Sequence, residues 1–373
     1  MADQTPLFQL LDAMLTQRAS DCYITVGAPC MLRVDGSLTP SGETLDVEGV
    51  KALISKAMDT DTHKKFMEER EANFALVTES GRFRVSAFWQ RDLPGMVIRR
   101  IETKIPEIQT LGLPDVIQDL SIAKRGLVLI VGATGSGKST SMAAMLGFRN
   151  THRSGHILTV EDPIEFIHPH KKCIVTQREI GIDTESYEVA LKNSLRQAPD
   201  MIMIGEIRTR ETMEYAMQFA ETGHLCIATL HANNANQALE RVLHLVPKER
   251  REQFLFDLSL NLRGVLAQQL VPDISGVGRH GAYELLLNTS HVSDLIRRGE
   301  LHELKASISK GENAGMCTFD QSLFALFKDG KISQDEALHH ADSRNELKLM
   351  MKMAEQSSSV LSLADVTIEK MHN

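Results

Sequence analysis

Residues 126–140 read GLVLIVGATGSGKST, and this stretch decides the fold. An apolar run, GLVLIV (126–131), leads into Gly132-Ala133-Thr134-Gly135-Ser136-Gly137-Lys138-Ser139, followed by Thr140. The eight residues match the phosphate-binding pattern G-x-x-x-x-G-K-[ST]. Glycines let backbone N–H groups wrap the β- and γ-phosphates, where a Cβ would obstruct the approach. Lys138 supplies a point charge, and the Ser139 hydroxyl suits Mg²⁺. The context is the required one: a buried strand before the loop, and a helix, KSTSMAAML, after it. A glycine-rich turn without a ligand would need neither flank. The stretch predicts a nucleotide site.

Working outward, short apolar runs recur at HILTV (156–160), MIMI (201–204) and LCIATL (225–230), separated by helical spacing. Such alternation predicts an α/β core with a mostly parallel sheet over 116–353. Beyond about residue 240 the spacing reads as helical nearly throughout, giving a helical C-terminal region. Upstream, residues 6–18 have helical spacing, and Asp35-Gly36 marks a hairpin. Helical spacing returns over 47–71. FALV (74–77), RFRVSAFW (82–89) and MVIRRI (96–101) alternate like strands. Residues 1–103 therefore read as a small α+β domain with an antiparallel sheet. A linker follows over 104–115, with Pro106, Gly112 and Pro114. Residues 354–373, rich in serine, read as a mobile or weakly docked tail.

Hydrolysis needs carboxylates near the phosphates. Glu206 ends the run MIMIGE, at the strand tip where ligands of open α/β sheets sit. Glu161 opens the cluster Glu161-Asp162-Pro163-Ile164-Glu165 after HILTV. Alone, either is as readily a solvated acidic turn; beside a phosphate loop, each is a candidate to orient water or hold Mg²⁺. Spacing does not decide which is the base. His224 and His231 bracket LCIATL. Paired histidines of this kind are commonly satisfied polar groups, and their separation is no metal motif. His231, at the C-terminal tip, is placed to sense a γ-phosphate. Arg82, Arg84, Arg99 and Arg100 lie on strands of the first domain. Surface ion pairing is their default role, and reaching the γ-phosphate as arginine fingers is the sharper one. Arg208 is a further cation candidate.

Composition is that of a globular protein, with 42% apolar and 24% charged residues in 373. A net charge of −8 and 5% aromatics argue against nucleic acid, which needs clustered cations and stacking platforms. The five cysteines form no C-x-x-C pair, as expected of reduced thiols. The N-terminus has no basic region of a signal peptide, and no apolar run reaches the roughly 18 residues of a membrane span. Direct membrane insertion is not expected.

Four ordered blocks, GATGSGKST, ILTVEDPIEF, RQAPDMIMIGEIR and TGHLCIATLHANNA, resemble the Walker A, Asp box, Walker B and His box of the secretion-superfamily ATPases. The resemblance covers nearly the whole chain, including GRFRVSAF and residues 318–347. Within that family the chain is similar to the PilT/PilU-type pilus-retraction ATPases, and nearer the PilU type. Extension ATPases usually carry a tetracysteine zinc module that is absent here. Two departures from the PilT type stand out: HVSDLIRRGE (291–300) replaces AIRNLIRE, and Ala133 replaces a proline.

The resemblance implies a PAS-like N-terminal domain, a RecA-like P-loop ATPase domain, a homohexameric ring, and ATP with Mg²⁺. It implies that Gly132 to Thr140 hold phosphate, with Lys138 and Ser139 central. Glu161 would activate water and Glu206 would serve Mg²⁺, with Ser139. His231, with His224, would sense the nucleotide, and Arg99, Arg84 and Arg208 would act as cations. Its implied partners are a PilT-type retraction ATPase and the inner-membrane platform protein of the pilus. The implied place is the cytoplasm, peripheral at the inner membrane through that machinery. Three functions stay open at this point: a retraction motor, a non-motor ATP-binding subunit that stabilises a partner ring, and, disfavoured by charge, a nucleic-acid translocase.

Overall fold

A computed structural model describes residues 6–34, 36–79, 81–102, 104–311 and 314–354. Asp35 of the expected hairpin and residues 355–373 of the expected tail lie outside the described residues. By contacts the chain divides into two compact units. The first comprises Met1–Ile105, Pro163–His168 and Arg178–Ser186, and the second comprises Pro106–Asp162, Pro169–Gln177 and Tyr187–Asn373.

The first unit contains six strands: β1 Asp21–Thr25, β2 Pro29–Val34, β3 Ser37–Thr44, β4 Glu71–Val77, β5 Arg82–Gln90 and β6 Leu93–Ile101. They form one sheet in the order β3-β2-β1-β6-β5-β4, antiparallel at every pairing. Period-two patterning explains two of the arginines noted in the sequence. Phe83, Val85 and Ala87 of β5 are buried, so Arg82 and Arg84 take the opposite face. The stretch 47–71 forms two helices, Val47–Ala57 and Thr60–Glu69. The break is set by Asp59, whose carboxylate caps the second helix by accepting from Thr62 N at 2.7 Å. Leu7, Leu11 and Met14 of the N-terminal helix Pro6–Thr16, with Ile54 and Phe66 of these two helices, join Phe83, Val85 and Ile98 in the core.

The second unit carries a sheet of seven strands, all but the last two residues of β9 being its own: β7 Gly126–Val131, β8 Gly155–Glu161, β9 Cys173–Glu179, β10 Met201–Ile204, β11 Leu225–Leu230, β12 Leu262–Pro272 and β13 Arg279–Leu287. Their order is β13-β12-β7-β11-β10-β8-β9. The run β12-β7-β11-β10-β8 is parallel throughout, as the fully buried apolar runs require. The expected α/β core is present.

Two features differ from the sequence reading. Helix was expected nearly throughout beyond residue 240, yet β12 and β13 form a long antiparallel ribbon. LNLRGVLAQQL carries apolar residues at helix-compatible intervals, and only pairing to β7 on one side and β13 on the other makes it a strand. Helices do dominate after β13, at Ser290–Arg298, Leu304–Lys310, Phe319–Lys328, Gln334–His340 and over 344–354. In the stretch read as a linker, Ile108–Leu111 is a 3₁₀ turn. Ile108 and Leu113 are buried in the second unit's core, and Tyr283 Oη donates to Leu111 O at 2.7 Å. No helix among the described residues is long and apolar enough to cross a membrane.

Candidate functional site: a phosphate loop beside four strand tips

Strand β7 is buried along its length and ends at Val131. The chain then turns through Gly132, whose φ of 154° and surroundings exclude a side chain. A Cβ there would lie 2.4 Å from Ser136 Oγ and 2.5 Å from Gln268 O. After further positive φ at Gly135 and Gly137, the helix Lys138–His152 begins, so its free N–H groups face the loop. Lys138 Nζ donates to the carbonyls of Gly132 and Ala133, each at 2.8 Å. Gln268 Nε2 donates to Ser136 O at 2.7 Å. Ser136 Oγ and Gln268 Oε1 are buried without a protein partner. A cradle closed to side chains, opened to N–H donors and holding an unpaired hydroxyl fits a bound phosphate chain.

Sheet order supplies the rest. Because β7, β11, β10 and β8 are consecutive and parallel, their C-terminal tips form one edge. In register, Val131 pairs with Leu230, and Ile204 pairs with Ala228 and Val160. The next residues along that edge are Gly132, His231, Gly205-Glu206 and Glu161. Edges of this kind are where open α/β sheets bind ligands.

Glu206 is held from both sides. Its Oε2 accepts from Arg208 Nε at 2.8 Å and lies 2.7 Å from Arg208 Nη2. Its Oε1 lies 3.1 Å from His231 Nε2. Hydrogen bonding to Glu206 pushes the Arg208 pKa up. Glu161 is only 8% exposed, and its Oε1 accepts from Thr159 Oγ1 at 2.6 Å and Gln177 Nε2 at 3.1 Å. Thr229 Oγ1 donates to Gly205 O, tying β11 to the β10 tip. Beneath Gly205 lies Tyr187, whose pKa is pushed up by burial and then by Asp162. A cavity of about 440 Å³ opens between Gly132-Ala133 and His231, and Gln237, Glu240, Arg241 and His244 of helix Ala235–His244 also line it.

The structure thus brings together residues 132–140, Glu161, Glu206, Arg208 and His231. His224 stands apart. It precedes β11, at the opposite end of the strand from His231, and its Nδ1 lies 3.2 Å from Phe219 O and 3.0 Å from Thr222 Oγ1. A six-residue strand spans roughly 20 Å, so His224 does not meet the phosphate loop of its own chain. Arg84 and Arg99 face each other across β5 and β6 in the first unit. Arg99 Nε donates to Asp21 Oδ1 at 2.8 Å, which raises the Arg99 pKa. Gln268 and Arg241 were missed in the sequence. Neither carries a motif, and both reach the site only through the fold.

Comparison with known proteins gives the family. The model of the type II/IV secretion system protein family matches residues 2–316. The chain belongs to the type II/IV secretion system protein family. It is 54% identical over 353 residues to the type IV pilus ATPase PilU of Pseudomonas aeruginosa, covering 94% of this chain and 92% of that one. The type IV pilus retraction ATPase PilT of the same organism is 40% identical, covering 89% and 97%. Among solved structures, the pilus retraction motor PilT with bound ADP superposes with a TM-score of 0.86 at 38% identity, covering 93% and 99%. As a member of this secretion family, the chain has the ATPase fold its sequence blocks imply.

Proposed function

We propose that this chain is an ATP-hydrolysing motor subunit that powers or assists retraction of type IV pili, working with a PilT-type partner. One observation carries the reading: a single sheet edge presents the phosphate loop, His231, Glu206 and Glu161 in that order. The names of its relatives, PilU and PilT, supply the pilus context.

In this reading, backbone N–H groups of residues 132–140 and Lys138 hold the β- and γ-phosphates. Ser139 and Glu206 offer the few oxygen donors that Mg²⁺ takes beside phosphate and water. Bound Mg²⁺ would neutralise charge developing on the γ-phosphoryl group. Glu161, oriented by Thr159 and Gln177, accepts a proton from the attacking water. Arg208 and His231 hold Glu206 in place and report the phosphate state through it. Arg84, Arg99 and His224 are assigned to the nucleotide on the resemblance alone. The working assembly is a homohexamer in the cytoplasm, docked at the inner membrane on the pilus platform protein. The test is ATP turnover by the purified protein. Wild type should release phosphate and Lys138→Ala should not, whereas equal rates in the two would remove the phosphate loop from the reaction.

A further inference from the structure

The structure assigns Gln268 as the positioning residue of the phosphate loop, an inference that rests on the nucleotide reading above. Gln268 lies on β12, 132 positions from Ser136, and is only 3% exposed. Both ends of the loop rest on it. Its backbone carbonyl fills the space that a side chain on Gly132 would need, and its amide grips Ser136 O at 2.7 Å.

The second contact has a geometric consequence. The Ser136 carbonyl and the Gly137 N–H belong to one planar trans peptide and point in opposite directions. Holding the carbonyl toward Gln268 therefore aims the Gly137 N–H away from β12. Phosphate loops bind through such N–H groups, so affinity depends on how they are aimed. A packing role alone does not account for a glutamine here. Its Oε1 is buried and unpaired, which costs stability that methionine or leucine would not.

Gln269, the next residue, provides the contrast. Adjacent strand residues face opposite sides, and Gln269 Nε2 donates to His340 O while its Oε1 meets His340 Nδ1, both at 3.1 Å. It holds the helix Gln334–His340 and does not touch the loop.

The experiment measures ADP affinity by calorimetry, with the ATP KM, kcat and Tm, for full-length wild type, Gln268→Met and Gln269→Met. Gln268→Met keeps the volume and removes the donor. Its ADP Kd and ATP KM should rise roughly tenfold, from one lost buried hydrogen bond, with kcat changed by less than about twofold. Gln269→Met should lower Tm and leave Kd at the wild-type value. Should Gln268→Met not fold, Gln268→Leu also removes the donor and carries the same expectation. A folded Gln268 variant that binds ADP like wild type overturns the assignment alone. Wild type that binds no ADP overturns the nucleotide reading and this inference together.

Discussion

Glu206 and His231 meet over 3.1 Å, Oε1 to Nε2, from the tips of adjacent parallel strands. The other carboxylate oxygen is taken by Arg208, so the carboxylate cannot rotate without breaking a contact. His231 also lines the cavity beside Gly132 and Ala133. One imidazole therefore touches both the carboxylate and the space above the phosphate loop. Replacing it by alanine removes this 3.1 Å contact with a charged group. His231→Ala should lower kcat roughly tenfold and leave ADP affinity near wild type. Steady-state phosphate release with calorimetry checks both halves, and an unchanged kcat would show that the contact is incidental.

The two carboxylates are distinguishable by substitution. Glu161→Gln keeps the size of the side chain and removes its basicity, so turnover should fall about a hundredfold or more. Glu206→Gln should also stop turnover while ATP binding stays largely intact. It should in addition lose its dependence on Arg208, because the ion pair is already gone. A double-mutant cycle between Glu206→Gln and Arg208→Ala measures that coupling.

Gly205 separates the carboxylates and has no room for a methyl group. A Cβ there would lie 2.9 Å from Tyr187 Oη and 3.2 Å from both Glu161 Cα and Val160 O. Gly205→Ala must push β10 from β8, displacing Glu161 and Glu206 together. The expected cost is about 1–3 kcal/mol of stability, with a larger proportional loss of kcat than of ATP affinity. Denaturant melts and kinetics on the same preparation test this.

Stability should respond to pH through Glu284. This β13 side chain is 2% exposed, and its Oε1 accepts from Ala235 N at 2.8 Å, at the start of the helix that lines the cavity. Burial first, then Asp342 and Asp320, raise its pKa from 4.5 to about 7, against the pull of Ala235 N–H and Lys305. Between those values the folded chain holds a proton that the unfolded chain has released. Stability from this group is therefore full below pH 4.5, falls as pH rises toward 7, and is flat above. The fall is at most about 3 kcal/mol. Glu284→Gln keeps the acceptor for Ala235 and removes the titration, so at pH 8 it should melt higher than wild type. Parallel pH profiles of the two proteins decide it.

Much of this was legible in the sequence for a physical reason. Parallel strands buried on both faces must be apolar runs, so GLVLIV, HILTV, MIMI and LCIATL announced themselves, and the residues just after each run could be placed at a common edge. β12 was not legible because its apolar spacing also suits a helix, and only its neighbours β7 and β13 select the strand. Gln268 shared that fate, since a residue on an unseen strand cannot be assigned to a loop 132 positions away. His224 and His231 both flank LCIATL, and the sequence already put His231 at the C-terminal tip. Strand direction alone separates them, putting one at each end of β11.

Of the two roles proposed, powering and assisting retraction, the first is the central claim: this chain generates force by its own hydrolysis. The direct measurement is retraction of fluorescently labelled pili in living cells whose PilT-type partner still docks but cannot hydrolyse ATP. This protein is supplied as wild type or as Lys138→Ala. Retraction with wild type and none with Lys138→Ala is the predicted result. Absence of retraction with both would contradict the account and leave the chain as an ATP-binding assistant to another motor.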